Sequence, residues 1–294
     1  MPSTPRRALM LINPNARRGT DPLDGALERL AAAGVAVERE TFSSPTEVSP
    51  DIVRRREGAD LVIVCGGDGT INAAARGLIE TGLPLGILPM GTANDLARTL
   101  GIPTDLARAA EVIAAGVTRK IDVGEVNGHP FFNVASLGLS AELAAKLTRE
   151  VKRRWGRLGY ALTAARVLAS ARPFRATIVT RDGEARVRTL QISVGNGRHY
   201  GGGNVVEATA TIDDHRLDLY SLEVQSVWKL LPMLRSLRAG SHGTWAEVRT
   251  IRCTEFEVHT RRPRPINTDG ELVTFTPARF IVRPAAITVF APPA

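Results

Sequence analysis

Leu61-Val-Ile-Val-Cys-Gly-Gly-Asp-Gly-Thr-Ile-Asn72 decides how this chain is read. Asp60–Cys65 is a nearly continuous apolar run of the kind found in a strand buried on both faces of a parallel sheet. Gly66–Gly69 then places three glycines around Asp68, and a helix follows from Thr70 to about Thr81. Glycines at such a turn let backbone N–H groups approach a ligand closely. The helix start adds unsatisfied amides and the positive end of its dipole, which suits a phosphate. No Lys-Ser/Thr follows and the spacing is not GxGxxG, so neither a Walker A loop nor a dinucleotide turn fits. The plainer alternative is a tight strand-to-helix turn with Asp68 as the cap.

Working outward, the first 125 residues alternate strand-like and helix-like patterns. Ala8–Asn13 and Val35–Thr41 read as strands, Leu23–Ala33 and Thr46–Glu57 as helices, with Gly34 closing the first helix. Leu85–Leu88 is a further strand, and Thr92 opens a helix with the capping spacing Thr92-x-x-Asp95. Strands alternating with helices predict right-handed βαβ units and an open, mostly parallel, Rossmann-like sheet between helical layers. The loops after Cys65 and Leu88 would then share the carboxyl edge, where ligands collect. Thr92 there is either a phosphate donor or a cap, and the cap is the simpler role for Asp95. Ile12-Asn-Pro-Asn-Ala-Arg-Arg-Gly19 suits phosphate contact and equally suits a surface loop.

After about Gly124 the pattern changes to strands and turns, with Ala176–Thr180, Leu190–Val194, Leu217–Glu223, Glu255–Thr260 and Arg279–Val282 as examples. Arg181-Asp-Gly-Glu184 carries the Asp-Gly pair of a tight hairpin. This predicts an antiparallel sandwich or barrel. The expected division is an α/β domain over 1–124 and a β domain over 125–283. A basic helical stretch, 141–171, interrupts the second, and another helix lies near Trp228–Ala239. Ala286–Phe290 fits either domain, so 284–294 is a candidate to rejoin the first.

The 294 residues are 44% hydrophobic and 23% charged, an ordinary globular balance that excludes a disordered chain. No apolar run reaches the roughly 18 residues of a spanning helix, and none near the start is long enough for a secretory signal. Two cysteines, Cys65 and Cys253, make no disulfide framework. A soluble, reduced, cytoplasmic protein is expected. The net charge of +8 is local: residues 146–175 hold nine basic side chains against one acid. Such a patch points to an anionic partner or to a solvated helix face.

Asn13-Pro14, Gly66-Gly-Asp-Gly-Thr-Ile-Asn72 and Gly91-Thr-Ala-Asn-Asp95 resemble the soluble diacylglycerol kinase and YegS-like lipid kinase family. That family is related to sphingosine and ceramide kinases and, more distantly, to NAD kinases. The resemblance continues through Ile121-Asp-Val-Gly124, Val194-Gly-Asn-Gly-Arg-x-x-Gly-Gly-Gly203 and Thr268-Asp-Gly-Glu271, in order along nearly the whole chain. It implies phosphorylation of a lipid hydroxyl by ATP in a cleft between an α/β domain and a β-sandwich domain. ATP is placed on Gly66, Gly67, Asp68, Gly69, Thr70, Ile71 and Asn72. Asn13, Pro14, Asn15, Ala16, Arg17, Thr41 and Thr92 complete that pocket. Glu271 becomes the general base, with Asp269 beside it and Asp68 in the nucleotide loop. Without the resemblance, Asp269-Gly-Glu271 reads first as a hairpin turn. Magnesium is implied at Thr211-Ile-Asp-Asp-His-Arg216, through the Asp214 carboxylate and the backbone of Thr211 and Arg216.

Phosphoryl transfer needs positioning, charge neutralisation and a group that orients or deprotonates the hydroxyl. His199, His215, His242 and His259 form no relay pattern, which leaves carboxylates for the last task. Two departures stand out: His215 replaces a glycine usual after the metal-loop Asp, and Ala208 replaces a proline. A glycine at 215 would serve a positive φ. Asp122 suits either a charged network linking the domains or a strand-end turn. The basic segment, with Trp155 and Tyr160 among its charges, is expected to dock on an anionic membrane and present the lipid. A homodimer is compatible with the sequence. The rivals are an NAD-kinase-like enzyme for a soluble hydroxyl compound and a non-catalytic nucleotide- or nucleic-acid-binding module. Few aromatics and no RNP-like or helix-turn-helix signature argue against nucleic acid. A binding module would need no base such as Glu271.

Overall fold

A computed structural model describes residues 5–16, 23–146, 167, 169, 171–196, 199–200, 204–205, 211–224 and 247–293. The chain divides into two compact units. Met1–Val123 and Pro284–Ala294 make up the bulk of one, and Gly124–Tyr200 with Asn204–Arg283 makes up the other.

The first unit runs β1 (Arg6–Ile12), α1 (Asp24–Ala32), β2 (Val35–Thr41), α2 (Pro45–Arg54), β3 (Leu61–Gly66), α3 (Asp68–Thr81), β4 (Leu85–Pro89), α4 (Asp95–Thr99) and α5 (Leu106–Ala114). It ends in the start of β5 (Thr118–Val126). The strands pair in parallel in the order β2-β1-β3-β4. Every residue of β3 and β4 is buried, as both covered faces of a parallel sheet require. Right-handed crossovers send α1 and α2 to opposite faces. There α1 packs with α5, and α2 packs with α3. Ser44 begins α2 with a full capping box: its hydroxyl accepts an amide, Glu47 reaches back, and Pro45 sits in the first turn. Gly82, in the left-handed conformation, ends α3.

The second unit begins with the end of β5 and adds β6 (His129–Phe131), β7 (Val134–Gly138), α6 (Leu139–Lys146), β8 (Phe174–Thr180), β9 (Gly183–Thr189), β10 (Gln191–Gly195), β11 (His199–Tyr200) and β12 (Asn204–Val205). It continues through β13 (Leu217–Leu222), β14 (Val248–Cys253), β15 (Glu255–Thr260), β16 (Pro265–Thr268), β17 (Glu271–Phe275) and the first half of β18 (Ala278–Phe290). One sheet has the order β14-β13-β10-β7-β16-β17, antiparallel throughout. The first half of β18 lies against β15, then β8 and β9. Period-two alternation gives each sheet one apolar face. Phe174, Ala176, Ile178, Val187, Phe256, Val258 and Phe280 share a core with Ala135, Leu137, Ile192, Val194, Leu217 and Leu219. Phe256 and Phe280 stack at 4.8 Å between ring centroids.

The fold class expected from the sequence is found: a parallel α/β unit followed by an antiparallel β unit. Several local expectations are corrected. The helix expected over Thr46–Glu57 stops at Arg54, and Arg56–Gly58 forms a short 3-10 turn instead. Thr92 does not open a helix. α4 starts at Asp95, preceded by Asn94 at φ 50°. Arg279–Val282 and Ala286–Phe290 are one strand, bent at Pro284 and at Ala285 with φ 50°. Its last part returns to the first unit and pairs in parallel with β4, Val289 against Leu85. Asp122 stabilises that bend by accepting the Ala285 amide at 2.7 Å. Of the basic stretch 141–171, α6 covers the start; nearly all the rest, and the helix expected near Trp228–Ala239, lie outside the described residues.

Candidate functional site

Strand order fixes where a ligand can sit. From β1 the chain moves to β2 on one side, then returns to β3 on the other. The loops after β1 and β3 therefore part at their carboxyl ends, the crevice where open α/β sheets bind ligands. Asn13 and Thr70 face each other there. The Asn13 Nδ2 donates to Thr70 Oγ1 at 2.8 Å, and its backbone N–H donates to Cys65 O at 3.0 Å. Asn13 Oδ1 also accepts the Asn15 amide, which fixes the turn of the first loop.

The glycine loop is packed backbone to backbone against the loop after β4. A Cβ on Gly91 would lie 2.5 Å from Gly67 Cα and 2.6 Å from Asn94 Oδ1, so only glycine permits this approach. The Met90 amide donates to Gly66 O at 2.8 Å. Asn94 holds the second loop with its side chain, accepting the Gly91 amide and donating to Gly91 O. Asp68, first residue of α3, accepts the Leu96 amide at 3.1 Å and so ties the two loops together. Burial pushes its carboxyl pKa up, the neighbouring Asp95 charge adds to this, and the amide bonds from Leu96 and Asp95 oppose it. Asp68 is thus a link between loops, and the helix-cap alternative is replaced.

The structure thereby gathers Asn13, Pro14, Asn15, Ala16, Gly66, Gly67, Asp68, Gly69, Thr70 and Asn72 around one sheet edge of the first unit. Thr41 ends β2 opposite Ile12 at the same edge, and both Thr41 and Thr92 are exposed. Ile71 is a correction: only 1% of it is accessible, its side chain packs in the core, and its amide is committed to Gly67 O. Arg17 lies outside the described residues.

In the second unit, Asp269 and Gly270 connect β16 to β17, with Thr268 paired to Glu271. Both turn residues have positive φ, 47° and 103°, as a tight two-residue hairpin demands. The Asp269 carboxylate accepts three backbone amides, from Phe132 at 2.8 Å, Asn133 at 3.0 Å and Val134 at 3.1 Å. This corrects its placement among the catalytic groups: Asp269 is a clamp that seats the hairpin on the start of β7. The Glu271 carboxylate is exposed and has no hydrogen-bond or ion-pair partner among the described residues. Nearby, Asn133 Oδ1, Asn267 Nδ2 and Thr268 Oγ1 are buried without partners among the described residues.

The loop implied for magnesium is arranged otherwise. His215 has φ 60°, so the position does take the left-handed conformation that the sequence suggested for a glycine. Asp214 accepts the Arg216 amide at 3.0 Å and the Arg252 guanidinium at 2.8 Å, and Arg252 also meets Asp218 at 3.0 Å. A cation is already in place on both carboxylates. Among the described residues no group of three or more Asp, Glu, His or Cys side chains is disposed to hold a metal. With Arg252 on its carboxylate, Asp214 is engaged otherwise than a magnesium ligand would be, and no chemical step is assigned to a metal there.

Comparison with known proteins agrees with this architecture. Residues 7–126 match the diacylglycerol kinase catalytic domain, and residues 133–291 match the YegS C-terminal NAD kinase beta sandwich-like domain. The chain belongs to the diacylglycerol kinase and YegS-like lipid kinase family. It is 30% identical to a probable lipid kinase YegS-like protein of Pseudomonas savastanoi pv. phaseolicola (strain 1448A / Race 6), covering 98% of this chain and 94% of the relative. It is 29% identical to a diacylglycerol kinase of Bacillus subtilis (strain 168), covering 94% and 93% of the two chains. A crystal structure of a diacylglycerol kinase from Bacillus anthracis str. Sterne superposes with a TM-score of 0.83 at 24% identity, covering 99% of each chain.

Within this lipid kinase family chain, sequence reasoning missed Asn94, the Leu96 amide and Asn133. Asn94 had a usable signal, since asparagine is among the few residues that enter the left-handed region readily. The other two act through a backbone amide and a distant burial environment, which the local sequence does not carry.

Proposed function

We propose that the chain transfers the γ-phosphoryl group of ATP to the hydroxyl of a diacylglycerol-like membrane lipid. The observation that carries this reading is the joined pair of loops at Gly66–Thr70 and Met90–Leu96, closed on the Asn13 turn at the edge of the parallel sheet. Glycines there bring amides of the α3 first turn close to a phosphate, and the helix dipole favours its charge. Asp68 holds the loops in register, and Thr92 stands exposed on the second loop to meet the nucleotide. Glu271 takes the proton of the acceptor hydroxyl as its oxygen bonds to the γ-phosphorus. The bond from that phosphorus to the bridging oxygen breaks, and ADP departs. An exposed carboxylate with no partner among the described residues is free for that task, whereas Asp269 is committed to backbone amides.

Among the described residues no helix is long and apolar enough to cross a membrane. Contact with the lipid is therefore assigned to the membrane surface, through the basic segment 146–175. The test is transfer of labelled γ-phosphate to a lipid panel and to NAD, with the native chain and Glu271→Gln side by side. Transfer to one lipid class, lost in the variant, supports the proposal. Transfer to NAD alone would establish the soluble-acceptor reading, and no transfer with retained ATP binding would indicate a binding module.

A further inference from the structure

Several arginines of the second unit meet acids, while Arg172, Arg181, Arg216 and Arg262 are exposed without an ion-pair partner among the described residues. Arg249 meets Glu223, Arg252 meets Asp214 and Asp218, Arg264 meets Glu142, Arg279 meets Glu255, and Arg283 meets Glu125. The outer face of β8 and β9 differs in setting like charges against one another. Arg175 stands directly across the ladder from Arg188, and Arg186 lies opposite Thr177 on the same face. Arg261, just beyond β15, borders the same groove, a concavity of 620 Å³. All four are exposed, and none has an ion-pair partner among the described residues.

Like charges directly opposite in an antiparallel pair destabilise it. The inner residues of these strands, Phe174, Ala176, Ile178 and Val187, account for folding, so the outer arginines are not needed by the core. Glu184 and Glu257 lie toward the other end of this face, where Glu257 already holds His259 at 2.9 Å. The arginine end is left with an uncompensated positive field over this three-strand surface.

From this charge complementarity we infer that the Arg175, Arg186, Arg188 and Arg261 face docks on an anionic lipid bilayer. It shares Arg175 with the basic segment 146–175 and is built on sheet. No Trp, Tyr or Phe lines the groove, so it lacks the stacking platforms of a single-stranded nucleic-acid site. The inference extends the proposed lipid acceptor to a docking surface, and in that respect rests on it. Attraction of this kind operates within a Debye length and weakens with salt.

The test compares the native chain, Arg175→Gln/Arg186→Gln/Arg188→Gln, and a charge-matched control, Arg39→Gln/Arg56→Gln/Arg108→Gln, in vesicle co-sedimentation. Binding to phosphatidylglycerol-containing vesicles is expected to fall on the order of 100-fold in the first variant and little in the control. Neither is expected to bind pure phosphatidylcholine vesicles. Relief of the Arg175–Arg188 repulsion means the first variant should melt no lower than the native chain, which separates docking from misfolding. Equal loss in both variants, or unchanged binding in the first, overturns the inference. Loss of binding to duplex DNA with vesicle binding intact overturns it in favour of a nucleic-acid surface. Phosphoryl transfer to a short-chain diacylglycerol in neutral detergent micelles is read alongside. Its absence in every chain would strike the proposed reaction while leaving the vesicle result standing.

Discussion

Asp269 accepts three amides of residues 132–134, while Glu271, two positions later, is exposed and unpartnered among the described residues. Their variants should separate accordingly. Asp269→Ala leaves three partly buried amides short of an acceptor and is expected to lower stability by about 2–4 kcal/mol in thermal or urea unfolding. Glu271→Gln should melt like the native chain and lose about 100-fold or more in turnover. The Asp-Gly-Glu turn is legible from its residues alone, but the amides that claim Asp269 lie more than 130 residues away in sequence. Asp68 yields a pH signature. Burial raises its pKa above the unfolded value of 3.8, so the folded chain binds that proton more tightly. Stability from this source is greatest in acid and declines as pH rises through the folded value. Asp68→Asn has no charge to bury and keeps an acceptor for the Leu96 amide. It should melt above the native chain at neutral pH, with the gap closing as pH falls toward the usual carboxylate range.

At the scale of elements, α3 carries the glycine loop and is positioned by α2. A Cβ on Gly77 would lie 2.7 Å from Ser49 O and 3.0 Å from Ile52 Cβ, so the two helices touch at backbone distance. Gly77→Ala should cost about 1–3 kcal/mol by forcing them apart. ATP affinity should weaken in parallel, read by calorimetry beside a melting curve. The strand-helix alternation was legible because apolar periodicity reports burial directly, as in Asp60–Cys65 and Leu23–Ala33. Helix boundaries were not, where a side chain other than the apparent cap decides them. Asn94 bonds to both polar groups of Gly91 and displaces the start from Thr92 to Asp95. Pro284 likewise reads as a break in a strand, yet Asp122 secures the bend and the strand continues.

For the whole molecule, the covalent path matters as much as the packing. The chain leaves the first unit through β5 and returns through β18, whose end buries Ile287, Val289 and Phe290. Those three side chains are worth about 5 kcal/mol together, a large share of the roughly 5–15 kcal/mol of a typical domain. Deleting residues 284–294 is therefore expected to unfold the first unit, measured by loss of its cooperative transition. Appending 284–293 to an isolated 1–123 piece should restore it. Ala286–Phe290 fits either domain when read alone, because pairing partners for one edge strand are a property of topology. That late return also sets the order of events at the ribosome. Val289 and Phe290 follow β4 only after the whole second unit, so β4 must wait, with one edge bare, until that unit has been synthesised. The nascent N-terminal half spends its synthesis as an unfinished sheet, a natural client for chaperones.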